Sequence, residues 1–524
     1  MVQTLFTLNS IEPKDILIAL VICILIYVLS FYIHYFSRPD RLPGPIPLPI
    51  LGSIHLYPGD AGAWMQELQA KYGDMFEVYL GSNRAIGLCR SDLVEKLMSP
   101  STTNTFRLRT PVNDGVEALG MMDKGIIFNH KYDDWSYIRR FYSKILATPQ
   151  ARKKIVESSQ TIFTEIEKCW KESDEPIIDL TEWIIRFAFE NIMYLATNMR
   201  VNSIDNYHNS LKPNTQTPLT EKLVGGVRMY LHAAHFYALA PTFWRNKPGQ
   251  NKAIANMLLG EKKSLDLILL EMVKKRRVQI ENSDMSEELS QDFLTQLLTV
   301  NTKRDVTKGI SDEKHQSPMS DEEIKAIITE IFTGGAFTTS QNMLYMIYYI
   351  AKYPEVQQKI VQEIESILGK NLNKEVTLKD IDNMKYCEAV INEVARIWPT
   401  FPVNLRASDK QETIGSYTFA PNTQFLINNQ AIHLHPKDWE DPNKFKPERF
   451  LDGEKINKNA FFMFGGGTRI CPARVVGLTE MKMLMIMLFQ KYNVELVEKD
   501  APIKYQYAMI RLCSELKVSI KPRY

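Results

Sequence analysis

An uninterrupted apolar run near the start of the chain sets the strongest limit on what it can fold into. Residues 16–36 read ILIALVICILIYVLSFYIHYF and contain no Asp, Glu, Lys or Arg. A helix of this length spans the hydrocarbon core of a bilayer, which is ~30 Å thick. The run is too long for a cleaved signal peptide and lacks a small-residue cleavage site. We therefore expect a transmembrane anchor over residues 16–36, with residues 1–15 as a lumenal N-terminus.

The charges beside this run indicate which side of the membrane carries the rest of the chain. Arg38 and Arg41 follow the run, whereas Glu12, Lys14 and Asp15 precede it. Positively charged residues favour the cytosolic end of a membrane helix. The body of the protein is therefore predicted to face the cytosol.

A proline-rich segment separates the apolar run from the body. Residues 42–52 read LPGPIPLPILG, in which four prolines prevent a helix from continuing. Beyond it the composition stays globular and no linker divides the chain. We predict a hinge over residues 37–52 and one large domain over residues 53–524.

Composition and cysteine spacing argue against several classes of function. The chain has 63 Lys and Arg against 61 Asp and Glu, and this near-neutral balance gives no support for a nucleic-acid partner. The six cysteines have no paired spacing. A disulfide framework, a C-x-x-C zinc site and covalently attached haem are therefore not expected.

The pattern of the body favours helices over strands. Strand-like stretches at residues 75–79 and 85–89 precede a long region of helical periodicity. Ser320-Asp-Glu-Glu323 is a capping box, and the helix that it starts can continue as far as Pro354. The predicted fold class is mainly α with minor β sheets.

A glycine-rich loop near the C-terminus presents a single cysteine. It reads Phe464-Gly-Gly-Gly-Thr-Arg469-Ile-Cys471-Pro-Ala. A thiolate ligand pushes electron density onto haem iron and favours O–O cleavage. The glycines let the backbone approach a porphyrin closely, and Arg469 can reach a haem propionate through a charge-assisted hydrogen bond. The loop therefore has the layout needed to offer a thiolate to a haem iron.

Three further segments carry charged or aromatic residues at regular spacing. Glu393 and Arg396 are three residues apart, so they can pair on one face of a helix. The segment KPERF that follows later contributes Arg449. Earlier in the chain, Trp135 and Arg139 lie four residues apart and share a helix face.

These segments, in this order, resemble the cytochrome P450 family. The haem loop of that family reads F-x-x-G-x-R-x-C-x-G, and Ala473 replaces its last glycine. The resemblance implies a cytochrome P450 fold, a haem-thiolate catalytic domain, and haem b with Cys471 as the axial ligand of the iron. It further implies haem contacts from Trp135, Arg139, Arg406, Phe464 and Arg469, and a buried charge cluster of Glu393, Arg396 and Arg449.

Residues 333–340 read TGGAFTTS and resemble the oxygen-binding helix of the family, (A/G)-G-x-(D/E)-T-(T/S). Glycine inside a helix costs ~1 kcal/mol relative to alanine, so Gly334 and Gly335 are interpreted as making room for dioxygen and porphyrin. Thr338 can donate to the Gly334 carbonyl, open a local bulge and place its hydroxyl near the iron. Gly334, Gly335 and Thr338 are the predicted catalytic residues.

Phe337 stands where the family usually has an acid, and it carries no proton. Water ordered by Thr338, Thr339 or Ser340 is the relay we favour. Glu330 lies two turns earlier, about 10 Å along the helix, and is interpreted as a solvated or paired charge. Alternatively the enzyme needs no external protons, as in family members that rearrange a hydroperoxide.

Seven residues should face the substrate by family position. All are apolar, so a lipophilic substrate held by shape is expected. His433 is expected to have a structural role rather than to bind iron. The seven are Phe332, Ala336, Phe337, Phe401, Val403, Met509 and Ile510.

Two functions follow from the resemblance. The first is a monooxygenase that inserts one oxygen atom from O₂ into a lipophilic small molecule, with electrons from NADPH. The chain lacks a dinucleotide-binding G-x-G-x-x-G, so a separate NADPH–cytochrome P450 reductase is implied, with cytochrome b5 as a further candidate donor. The second is an isomerase or dehydratase that rearranges a lipid hydroperoxide without reductase. A haem sensor or electron carrier leaves the paired glycines unexplained.

The resemblance also gives expectations about location. The protein is expected to be a single-pass protein of the endoplasmic reticulum membrane, in contact with membrane lipids. Residues 236–244 are apolar and aromatic, and they either dip into the membrane or belong to the core. Candidate docking charges for the reductase are Arg139, Arg140, Lys144, Lys153 and Lys154.

Overall fold

The computed structural model describes residues 12–523, with gaps at 102–103, 110–113, 174, 214–215, 308, 311, 373 and 452–455. Helices hold most of these residues, which confirms the predicted mainly α class. In chain order the α-helices are α1 (Pro13–Ser37), α2 (Ala61–Tyr72), α3 (Ser91–Val94), α4 (Asp114–Ala118), α5 (Tyr132–Leu146), α6 (Pro149–Ser173), α7 (Thr181–Thr197), α8 (Ser203–Ser210), α9 (Leu219–Leu239), α10 (Thr242–Arg245), α11 (Gln250–Asn282), α12 (Phe293–Thr299), α13 (Asp321–Phe332), α14 (Thr338–Lys352), α15 (Pro354–Leu368), α16 (Leu378–Asn383), α17 (Lys385–Ile397), α18 (Asn429–His433) and α19 (Arg474–Lys491).

The strands form small sheets rather than one central sheet. The largest has the order β1-β2-β7-β4, and the others are β3-β11-β8, β10-β9 and β5-β6. β2 and β7 are parallel, whereas β1 with β2 and β4 with β7 are antiparallel. The strands are β1 (Met75–Leu80), β2 (Asn83–Leu88), β3 (Ile177–Asp179), β4 (Val403–Ala407), β5 (Glu412–Ile414), β6 (Tyr417–Phe419), β7 (Gln424–Asn428), β8 (Tyr492–Leu496), β9 (Lys504–Ala508), β10 (Ile510–Glu515) and β11 (Lys517–Pro522).

One long helical rod runs through the middle of the fold. Ser320 caps α13 by exchanging hydrogen bonds with Glu323, as the capping box predicts. A π-helical turn over Thr333–Phe337 joins α13 to α14, and the rod ends just before Pro354. The packed helices α7 and α19 are buried over most of their length. The rod is therefore held in the core, where its position is fixed by packing.

Helix α1 extends away from this core. Among the described residues it is the one helix long and apolar enough to cross a membrane, with a mean hydropathy of 3.0 and none of that window buried. Its bounds exceed the predicted span of residues 16–36 by three residues at the N-terminal end and by one at the C-terminal end. Pro13 suits the first helical position, because its missing N–H needs no partner there.

Hydrogen bonds and ion pairs hold the proline-rich segment that follows against strand β1. Glu77 on that strand is fully buried, and it accepts hydrogen bonds from Arg38 at 2.7 Å and Arg84 at 2.8 Å. The Glu77 N–H donates to the Pro43 carbonyl at 2.8 Å. A Cβ on Gly44 would overlap the Glu77 carbonyl, so only glycine fits there. The segment therefore sets the direction of α1 relative to the body.

Glu77→Ala is expected to detach this segment from β1. Removing one partner of a buried ion pair typically costs about 3–5 kcal/mol, because the remaining charges lose their compensation. Limited proteolysis at residues 38–52 should quicken, and the thermal unfolding midpoint should fall. Glu67→Ala, at an exposed site on α2, is the matched control. Equal cleavage rates for the two variants would contradict the assignment.

Candidate functional site

A cavity of about 230 Å³ lies between the long helical rod and the cysteine loop. Side chains of α5, α7, β4 and α19 contribute to its other walls. Ten of the residues predicted to be catalytic, to bind haem or to contact substrate line it, so the fold brings together segments that are far apart in the chain. These ten are Trp135, Arg139, Gly334, Gly335, Thr338, Phe401, Arg406, Phe464, Arg469 and Cys471.

The cysteine loop is a tight turn that ends at the start of α19. The Cys471 N–H donates to the Phe464 carbonyl at 2.9 Å, and Gly465 and Gly467 adopt φ angles of +73° and +66°. A Cβ on Gly465 would meet no atom within 4 Å, so that glycine leaves the approach to the cavity open. Burial raises the pKa of the Cys471 thiol, while the Ala473 N–H and Arg139 act to lower it.

Positive charge dominates this cavity. Arg109, Arg139, Arg406 and Arg469 all line it, and in the described part of the chain none of the four forms an ion pair. Burial and the neighbouring guanidinium groups lower the pKa of Arg406 to about 9 and that of Arg469 to about 8. Buried charges without partners are expensive. The residues present therefore fit a ligand with anionic groups, such as the two propionates of a haem.

Arg469 is fixed mainly by backbone carbonyls. Its guanidinium donates to the carbonyls of Arg107 at 2.7 Å, Ile126 at 3.2 Å and Asn129 at 2.9 Å. The same group lies 4.1 Å above the ring of Trp135. Trp135 thus packs on Arg469, and it lines the same cavity as Arg139 one helical turn later on α5.

Arg109 is a cavity residue that the sequence reasoning missed. It donates to the Arg469 carbonyl at 3.0 Å, and burial lowers its pKa. The residue precedes α4 in an irregular segment, without helical periodicity or a flanking motif. Nothing local marked it, because its place in the cavity depends on a contact 360 residues away in the sequence.

The rod faces the cavity at its π-helical turn. Thr338 Oγ1 donates to the Gly334 carbonyl at 2.5 Å, so the predicted hydrogen bond and bulge are both present. The cavity face carries Glu330, Gly334, Thr338 and Asn342 at a spacing of four residues, which is wider than the 3.6 of an ordinary helix. The bulge therefore keeps these side chains on one face.

The paired glycines serve two different purposes. A Cβ on Gly334 would meet no atom within 4 Å, so this glycine borders open space in the cavity. A Cβ on Gly335 would overlap the side chain of Ile192 on α7. Gly335 is therefore required by helix packing, whereas Gly334 leaves room next to Thr338.

The sequence profile of the cytochrome P450 family matches residues 42–521. The chain belongs to the cytochrome P450 family. It is a monooxygenase, and its family binds haem through a cysteine thiolate.

Curated relatives of this P450 span nearly its whole length. The mitochondrial 1,25-dihydroxyvitamin D(3) 24-hydroxylase of Mus musculus is 25% identical, over 92% of this chain and 89% of the relative. Cytochrome P450 3A17 of Cavia porcellus is 24% identical, over 90% and 88%. Melianol synthase of Melia azedarach is 27% identical, over 82% and 81%.

Glu330 does not behave as the solvated or paired helix charge that the sequence suggested. It is buried on the cavity face and accepts hydrogen bonds from the N–H groups of Ile126 and Ile127. Burial raises the pKa of its carboxyl to about 7, although those N–H groups and Arg109 act to lower it. Gly125 approaches so closely that a Cβ there would overlap the carboxyl group. The carboxyl therefore holds the segment before α5 against the rod.

Only Phe401 of the seven predicted substrate contacts lines the cavity described here. Phe332, Ala336 and Phe337 lie on faces of the rod that turn into the core, because the cavity face repeats every four residues. The other three pack away from the cavity wall: Val403 against the β1-β2 layer, and Met509 and Ile510 against the main core. Asn404, beside Val403, takes the cavity position instead.

The three predicted structural charges are buried and in contact. Glu393 accepts from Arg396 at 2.7 and 2.8 Å and from Arg449 at 3.1 Å. Arg396 also donates to the His433 carbonyl at 3.0 Å. His433 Nε2 lies 3.2 Å from the Phe462 N–H, which donates to it. The histidine is therefore tied to the backbone beneath the cysteine loop.

Gly335→Ala is expected to destabilise the protein by about 1–3 kcal/mol, because the added methyl overpacks α7. Gly334→Ala, its matched control, should be neutral or slightly stabilising, since alanine is a better helix former and its methyl would enter open space. The measurement is the thermal unfolding midpoint of each variant. Ile192→Ala should partly rescue Gly335→Ala and not Gly334→Ala. Equal shifts for the two glycines would contradict this packing.

Proposed function

We propose that this P450 inserts one atom of O₂ into a lipophilic small molecule, using electrons that NADPH supplies through a separate reductase. The observation that carries the proposal is a lone thiol, Cys471, facing an arginine-rich cavity across from the widened turn at Thr338. Among the described residues no group of three or more His, Cys, Asp or Glu could hold a metal by itself. A porphyrin suits such a site, because its own four nitrogen atoms hold the iron and the protein needs to supply only one ligand.

The proposed cofactor is haem b, with Cys471 as its axial ligand. The arginines at positions 109, 139, 406 and 469 would hold the propionates, and Phe464 and Gly465 would lie against the porphyrin. Bound haem supplies the activation of O₂, which amino-acid side chains cannot perform. The protein would contribute the thiolate and the compensating positive charge.

Thr338 is proposed to hold and direct protons near the iron. Its hydroxyl hydrogen is donated to the Gly334 carbonyl, so its oxygen is left as an acceptor on the cavity face. A water molecule could donate to that oxygen and be held next to the open space at Gly334. Gly334 and Gly335 would then act by keeping the turn wide and close to α7.

We propose a lipophilic substrate because an exposed apolar side chain, Phe401, lines the cavity. Phe401 is 40% exposed, an unusual fraction for a large apolar side chain that lines an internal cavity. The names of two relatives, a 1,25-dihydroxyvitamin D(3) 24-hydroxylase and a melianol synthase, refer to different products. They support the chemistry and leave the individual substrate open.

We place the protein in the endoplasmic reticulum membrane, with α1 as its anchor and the body in the cytosol. Phe243 and Trp244 are 50% and 42% exposed and would add a second membrane contact. Arg139 lines the cavity and is removed from the predicted docking charges. Arg140, Lys144, Lys153 and Lys154 remain for the reductase and for cytochrome b5.

Cys471→His is expected to abolish the thiolate-type Soret band of the reduced carbon-monoxide complex. An imidazole cannot donate electron density to iron as a thiolate does. The measurement is the spectrum of the purified full-length variant. Cys387→Ser, at a buried cysteine away from the cavity, is the control and should keep the band. A thiolate-type band in Cys471→His would refute the assignment.

Thr338→Ala is expected to uncouple NADPH consumption from product formation. One positioned proton donor or acceptor contributes about 10²–10⁴ in rate, so product should fall steeply while hydrogen peroxide rises. Testosterone and lauric acid are suitable probes, chosen by the Soret shift that each causes. Thr164→Ala is the control, at an exposed threonine of α6 whose hydroxyl donates to the carbonyl four residues earlier, as that of Thr338 does. Turnover of a lipid hydroperoxide without reductase, unaffected by Thr338→Ala, would instead favour rearrangement.

A further inference from the structure

Glu330 separates the cavity that contains Cys471 from a second, smaller cavity. The outer cavity lies between α9, α11 and α13 and has a volume of about 30 Å³. Within the described residues, Glu330 is the one residue that lines both cavities. Most of the outer cavity's other lining residues are polar, and Gly120, Met121 and Ala326 complete the wall. The polar ones are Lys124, Tyr230, Lys262, Asp266, Lys325 and Thr329.

Charged side chains that line the outer cavity are partly exposed to solvent. Lys262 bonds to Asp266 at 2.5 Å, and Lys325 lies 3.5 Å from the same carboxylate. The side chains of Asp266 and Lys325 are 21% and 12% exposed. Because Asp266 and Lys325 are partly exposed, this cluster can exchange protons with solvent.

On its inner side, Glu330 begins the row of residues that leads to Thr338. Gly334 lies between them and leaves open space on that face. Eight residues of helix span about 12 Å, a distance that a short chain of water molecules can bridge when polar groups hold it. Phe337, at the position of the usual acid, is fully buried in the core and carries no proton.

We propose that Glu330 is the proton-loading group of this P450, taking protons from the outer cavity and releasing them toward Thr338. This inference rests on the proposed monooxygenase function. The overall reaction RH + O₂ + 2 e⁻ + 2 H⁺ → ROH + H₂O needs two protons, and the reductase supplies the electrons. In each step the Glu330 O–H bond breaks as cavity water accepts the proton. The carboxylate then regains a proton from water of the outer cavity.

The surroundings of Glu330 suit this exchange. Burial raises the pKa of its carboxyl to about 7, so both protonation states are populated near neutral pH. The N–H groups of Ile126 and Ile127 hold the carboxyl in place in either state. The ionisable groups that face it from neighbouring elements are Arg109, Arg469, Tyr142, Tyr230, Asp266, Lys124, Lys262 and Lys325. Because Glu330 does not touch the thiolate, it is a positioning residue rather than a catalytic one.

Three variants separate proton loading from a purely structural role. Glu330→Gln keeps the size of the side chain but cannot carry an acidic proton, whereas Glu330→Asp keeps the acid. Ala326→Leu places extra bulk in the outer cavity without altering Glu330. Glu281→Gln and Ala253→Leu, at exposed sites on α11, are the matched controls.

The first readout needs no turnover. Infrared difference spectra of the full-length protein, in H₂O and D₂O, should show the C=O stretch of a buried carboxylic acid that disappears as the pH rises through about 7. The band should be missing in Glu330→Gln. Its hydrogen–deuterium exchange should be slower in Ala326→Leu and unchanged in Ala253→Leu. A missing band in the wild type, or the same exchange in all variants, would overturn the proposal.

The second readout is NADPH oxidation driven by reductase, with testosterone or lauric acid as the probe and without it. Glu330→Gln should lose on the order of 10²-fold in rate, the lower end of what one positioned acid contributes, and should show an altered solvent isotope effect. Glu330→Asp should recover most of the rate. If Glu330→Gln equals the wild type, proton loading is refuted while the monooxygenase assignment stands. If the wild type shows no reductase dependence, the proposed function itself fails.

Discussion

The positive charge buried around Cys471 is the constraint on which the rest of the site depends. Arg109, Arg139, Arg406 and Arg469 meet in one cavity without a carboxylate partner among the described residues other than the nearby Glu330. Such an arrangement is stable only when an anion compensates it. The guanidinium groups are therefore both the strongest indication of an anionic cofactor and the reason why the apoprotein should be less stable than the loaded protein.

The backbone of residues 125–129 connects the two sides of this cavity. Arg469 from the cysteine loop donates to its carbonyls, and Glu330 from the rod accepts from its N–H groups. Because one short segment serves both partners, a shift at either the rod or the loop is transmitted to the other. The cysteine loop and the distal helix are thus positioned as one unit rather than as two independent motifs.

Features that depend on residues close together in the chain could be predicted from the sequence. The span near α1, the capping box at Ser320, the bulge at Thr338 and the tight cysteine loop are local, and each is found near its predicted place. The residues predicted to contact substrate depend on more than local sequence. Phe332, Ala336 and Phe337 were assigned by family position, and the structure places them in the core beside the π-helical turn, so their contact with substrate stays a prediction.

The sequence by itself determined the main functional groups and the membrane segment. These are one thiol in a glycine-rich loop, a threonine that follows paired glycines, and an apolar run near the N-terminus. Only the tertiary structure decided which distant charges join that chemistry. Arg109 carries no local signal, Glu330 is buried where a solvated or paired charge was expected, and Trp135 packs on Arg469. The physical reason is that burial and long-range hydrogen bonds, not neighbours in the chain, set the charge and orientation of these side chains.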